Sequence, residues 1–278
     1  MKLTTSRTLA VLFAAAFLAL LYSSRPSEAS ATQNNSGTIY SVRADNARWN
    51  HKLIATPTSY VQGVPAEPVD SFVWDGVGSR ELVDARITME LDPIWNRAIV
   101  RASWTDAYGR WTFKQVKEDF PHHWAGVRLG ASVDEVEYVN ADPVVTNVYL
   151  HGDTTAGPGV LPTTFAFAAA WGLAEVTLNG QRFVNPYDPG ANGAWPCHLM
   201  VTCGVRDDLD GTVRTQEGTI YDMSQASNGN RDETDLEVHL TFHDEPFLPP
   251  NTANIPPMFE FFYHLVFEDV QLDISHNE

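Results

Sequence analysis

The sequence predicts an all-β protein, an antiparallel β-sandwich or jelly roll with long loops. Three observations carry that expectation. Short runs alternate apolar and polar side chains, the period of two that puts successive residues on opposite faces of a strand. Turn-forming residues punctuate these runs every ten to twenty residues. Helical periodicity is scarce; only the Ala-rich Phe165 to Trp171 suits a short helix as well as a buried strand.

Taken in chain order, residues 1–31 read as a secretory signal peptide. Lys2 and Arg7 form a positive start, Leu9 to Tyr22 is an apolar run of 14 residues, and Ala29-Ser30-Ala31 is a small-residue cleavage signal. The run falls short of the roughly 20 residues that cross a bilayer, which argues against an uncleaved anchor. Residues 32–70 form a leader and loop segment carrying Pro57, Pro65 and Pro68. Residues 71–278 are expected to form the β-domain, with no clean linker and no internal repeat. Strands are expected at Leu82 to Leu91, Ala98 to Trp104, Trp111 to Phe113, Val144 to His151, Leu236 to His243 and Phe259 to Ile274. Asn179-Gly180 joins two more such runs, and its tolerance of positive φ suits a type I′ hairpin.

Composition narrows the function. Over 278 residues, 18 Lys and Arg stand against 35 Asp and Glu, a formal charge of −17. Such a surface repels phosphate backbones, so no nucleic-acid partner is expected. A secreted or periplasmic location follows from the signal peptide, with no membrane span after cleavage. Export favours a disulfide between Cys197 and Cys203, the only two cysteines. A straight strand would hold them about 20 Å apart, against the roughly 7 Å a bridge allows, so the bridge needs a turn or bulge between them. No G-x-S-x-G elbow, Walker A loop, G-x-G-x-x-G fingerprint, H-E-x-x-H pair or C-x-x-C motif occurs. Catalysis stays open, because a glycosidase needs only two carboxylates.

The leading functional expectation is a divalent transition metal, copper or zinc, held by strand histidines. His198-Leu199, His239-Leu240 and His264-Leu265 each put His before Leu in a probable strand. Alternation turns the three leucines to one face and the three histidines to the other, where neighbouring strands would let the imidazoles converge. Met200 shares the face of His198 and suits copper as an extra ligand. Glu237 and Thr241 flank His239 on its face and can orient a ligand from behind. His243 lies on that face too, about 13 Å from His239 along a straight strand. The ordinary solvated face of an amphipathic strand has the same composition. His122, His123 and His151, in loop-like contexts, complete the metal candidates. Asp207, Asp208 and Asp210 crowd before Gly211 and suit a structural calcium.

Glu237 to His243 resembles the zinc-ligand strand of the α-type carbonic anhydrases. His122-His123-Trp124-Ala125-Gly126 is loosely similar to their His-x-His-Trp-Gly stretch. The two segments lie too far apart for that family and its N-terminal signatures are missing, so the sequence does not place the chain there. Two other readings compete with metal binding. A carbohydrate-binding module or glycosidase would use exposed rings among the eight tryptophans, with Trp104 to Tyr108 and Tyr187-Asp188-Pro189 as loop-like candidates. A surface or assembly subunit would form a homo-oligomer through its long apolar final run.

Overall fold

The computed structural model describes residues 37–50, 60–61, 64–65, 80–118, 126–129, 136–139, 142–150, 164–187, 192–204, 232–243 and 261–276. The signal-peptide stretch, His122, His123, His151 and the Asp207 to Asp210 cluster lie outside these residues. Among the described residues the regular elements are all strands. They are β1 (Thr38–Asn50), β2 (Tyr60–Val61), β3 (Val64–Pro65), β4 (Arg80–Asp92), β5 (Arg97–Asp106), β6 (Gly109–Glu118) and β7 (Gly126–Leu129). Then come β8 (Val136–Val139), β9 (Val144–Leu150), β10 (Thr164–Leu178), β11 (Gln181–Phe183), β12 (Trp195–Gly204), β13 (Asp232–His243) and β14 (Phe262–His276).

The sequence expectation of an all-β antiparallel protein holds, and that of a sandwich or jelly roll is corrected. Eight strands follow one another in the order β12-β13-β14-β1-β4-β5-β6-β10, and β10 pairs back onto β12. The sheet is therefore a closed eight-stranded barrel, with β9, β7 and β8 continuing from β10 as a side sheet. Closure removes the two free edges that each sheet of a sandwich keeps.

β10 makes closure possible because it serves two partners on each edge. Residues 164–170 pair with β9 and residues 172–178 with β6; residues 166–174 pair with β12 and residues 176–178 with β11. The hand-over from β9 to β6 occurs at Gly172, where an added Cβ would collide with the Lys117 carbonyl and the Gln115 amide. Gln115 Nε2 donates to the Trp171 carbonyl at 3.1 Å and fastens the junction. The β10–β11 turn has φ of 54° at Asn179 and 78° at Gly180, the two positive values of the expected hairpin.

Alternation along each strand fills the barrel with apolar side chains. One end is aromatic: Trp104, Trp111, Phe113, Phe183, Trp195, Phe242, Phe261 and Tyr263 are all buried. An eight-stranded barrel is just wide enough for such side chains to fill it. The only hydroxyl among these rings is hydrogen-bonded on both sides. Tyr263 Oη accepts from Trp104 Nε1 at 2.8 Å and donates to Asp106 Oδ2 at 2.7 Å. Asp106 Oδ1 accepts from the backbone N–H groups of Tyr108 and Gly109, so one carboxylate ties the β5–β6 turn to β14. Trp104 is thus a core residue and not the exposed ring that a sugar site there would require.

The expected disulfide is also corrected. Cys197 and Cys203 are buried and unbridged. Both sit on β12, whose register with β13 runs unbroken from Cys197 to Cys203, so no turn brings the sulfurs together. Cys197, Phe242 and Tyr263 are successive cross-strand partners inside the barrel.

Three measurements test this interior. Thiol titration of the native chain should find both cysteines unreactive and titration in denaturant should find two, whereas a bridge would give none in either. Burial pushes the Cys197 thiol above its ordinary 9.0 and, with the nearby Asp106 charge, the Tyr263 hydroxyl above its ordinary 10.0. Above those values the unfolded chain loses protons that the folded chain keeps, so stability must fall as pH rises. Each group contributes about 1.4 kcal/mol per pH unit in that range. Urea unfolding between neutral pH and pH 11 should show a smaller alkaline loss in Cys197→Ser and Tyr263→Phe. At neutral pH Tyr263→Phe should itself cost about 1–3 kcal/mol, since it strands the Trp104 donor.

Candidate functional site

The barrel wall has two contrasting outer halves. Over β4, β5 and β6 the outward positions are largely exposed. Over β12, β13 and the first part of β14, up to Val266, they are largely buried, although many are polar. Glu237, His239, His264 and Thr202 are each 2% exposed or less. Buried polar groups are costly unless they bond to one another.

Register explains how these side chains meet. Leu199, Leu240 and Leu265 are direct cross-strand partners, and all three point into the barrel core. The preceding histidines therefore point outward. His198, Thr241 and His264 share one row across the three strands, and Met200, His239 and Val266 share the next. Neighbouring rows put His239 diagonal to His264. His239 Nδ1 lies 3.1 Å from His264 Nε2, and His239 Nε2 lies 3.1 Å from Glu237 Oε2. Glu237 sits two residues from His239 on the same strand face.

The order Glu237–His239–His264 has a chemical direction. Carboxylate oxygen accepts, so Nε2 of His239 carries the proton when it bonds to Glu237. Its Nδ1 then presents a lone pair toward His264. A carboxylate behind an imidazole in this way fixes the tautomer and raises the basicity of the far nitrogen. The arrangement suits ligation of a cation or relay of a proton.

The sequence-predicted residues separate into three groups. His239 and His264 are brought together, with Glu237 behind His239. Met200 is opposite His239, buried, and packed in a second apolar cluster with Trp171, Val145 and Val148. His198 is on the expected face, but Thr241 stands between it and His264 in their row, and its ring stacks on Trp171 at 4.4 Å and 13°. His243 is buried farther along β13. Among the described residues, no three His, Cys, Asp or Glu side chains come together as a metal-holding group. Sequence reasoning missed the Trp171 platform, because β10 and β12 pair across a long stretch of chain. It also missed Thr202, the buried cross-strand partner of Glu237.

Comparison with known proteins adds no relative: no family model matches the chain, and neither a curated protein nor a solved structure matches it.

The geometry makes one structural prediction. Glu237→Gln keeps the shape of the side chain but removes the obligate acceptor. Nitrogen-15 NMR of the imidazoles should then show His239 leaving the Nε2–H tautomer, with a stability loss of about 1–3 kcal/mol. An unchanged tautomer would mean that Glu237 does not orient the ring.

Proposed function

We propose that the protein is an exported β-barrel that binds a divalent transition metal, copper or zinc, on its outer wall at His239 and His264. One observation carries the reading: two buried imidazole nitrogens stand 3.1 Å apart with a carboxylate on the far nitrogen of one of them. Nitrogen donors suit both metals, and the Glu237–His239 arrangement is the outer support that metal-bound imidazoles commonly have. Met200, opposite His239 on the same face, supplies a soft third donor and tilts the choice toward copper. His198 joins as a ligand only if its ring leaves Trp171.

The test is direct. The chain from Thr32, expressed and dialysed, is analysed by elemental mass spectrometry and titrated with zinc and copper. About one ion per chain is expected, falling to none in His239→Ala and in His264→Ala. Retained binding in His198→Ala would place the centre on the pair and Met200. Unchanged stoichiometry in both His239→Ala and His264→Ala overturns the proposal.

A further inference from the structure

The other half of the barrel wall has the opposite chemistry. β5 and β6 span residues 97–118 and carry Arg97, Arg101, Arg110, Lys114 and Lys117. That is five of the 18 basic residues of a chain whose net charge is −17, and Arg97 is paired with Glu90 at 2.8 Å. Both carboxylates of the same stretch are engaged at its ends. Asp106 bonds to Tyr263 and to the turn backbone, and Glu118 accepts from the Ala98 N–H at 2.9 Å.

Arg101 and Lys114 are exposed and directly opposite each other across the two strands. Like charges in that position destabilise a sheet. Among the described residues neither forms an ion pair, although Glu175 lies opposite Lys114 on β10. The next row outward is Ile99, with Val116 beside it on β6, each 43% exposed. Beyond it, the β4–β5 turn holds out Trp95, which is 79% exposed. This turn is built rigidly. Asp92 Oδ1 accepts from the Ile94 and Trp95 N–H groups, and Asn96 bonds to Asp142 and to the Val144 N–H.

An unpaired guanidinium and ammonium, a low apolar shelf and an outstanding indole thus follow one another along about 13 Å of strand and the turn at its end. We propose that this face binds an anionic polysaccharide, a uronate or sulfated sugar polymer. Trp95 stacks on a sugar ring, the shelf meets its C–H face, and Arg101 with Lys114 takes the carboxylate or sulfate. The field of distant acidic residues is screened over about 8 Å at physiological salt; of the carboxylates close by, Glu90 is held by Arg97 at 2.8 Å and Glu175 stands opposite Lys114. The proposal stands apart from the metal centre on the opposite wall.

Binding to polygalacturonate, dextran sulfate, neutral dextran and poly-glutamate decides it. Either anionic sugar polymer should bind while neutral dextran does not, and affinity should drop with added salt. Arg101→Gln/Lys114→Gln should weaken binding at least tenfold and Trp95→Ala several-fold, with thermal unfolding unchanged in Trp95→Ala and raised in the double variant, which loses the cross-strand repulsion. No binding to either anionic sugar, or binding indifferent to these substitutions, overturns the proposal. Poly-glutamate bound as tightly and without dependence on Trp95 also overturns it, and assigns the face to an acidic protein instead.

Discussion

Barrel closure depends on the hydrogen bonding of β10. A strand has two edges, and an ordinary barrel strand spends each on one neighbour. β10 divides each edge between two neighbours, and the change from β9 to β6 needs the backbones of Gly172 and Lys117 to approach more closely than any side chain permits. Without that approach β6 would end at an open edge and the aromatic end of the interior would meet water. The filled interior in turn fixes which residues face outward, and hence which polar groups β12, β13 and β14 present on their buried side.

The chain solves two different problems on the two outer halves of the wall. On the buried half, Glu237, His239 and His264 form a short directed chain. On the exposed half, water meets the polar groups, and the Asp45 carboxyl, held below its ordinary range by the Arg86 guanidinium, shows ordinary surface pairing. Arg101 and Lys114 do not follow that pattern. Cross-strand repulsion between them is a cost that folding alone gives no reason to keep.

Much of this was legible from local alternation. The three His-Leu pairs lie on strands, the leucines enter the core, and Asn179-Gly180 makes its hairpin, because period and turn chemistry act over a few residues. Closure was not legible: a sandwich strand and a barrel strand alternate alike, and the difference lies in pairing between β10 and β12 far along the chain. The same distance hid the stack of His198 on Trp171. The sequence reading gave the three histidines equal standing, whereas register puts only His239 and His264 within reach of each other. The cations of β5 and β6 meet only through the pairing register that sets Arg101 opposite Lys114, which a count of charges along the chain does not contain.

The junction at Gly172 has a consequence for how such a chain can diverge. Glu118, the last residue of β6, is the register partner of Gly172. The chain that leaves the barrel after β6 therefore returns to the point of departure, and everything between is a detour stitched shut at its base. Loop-closure entropy grows only slowly with length, so insertions or deletions in that detour would leave the barrel seam almost undisturbed. Evolution could lengthen or shorten the links between β7, β8 and β9 while the ring of eight strands stayed as it is; β9 itself is held, because Val145 and Val148 pack on Met200 and Trp171.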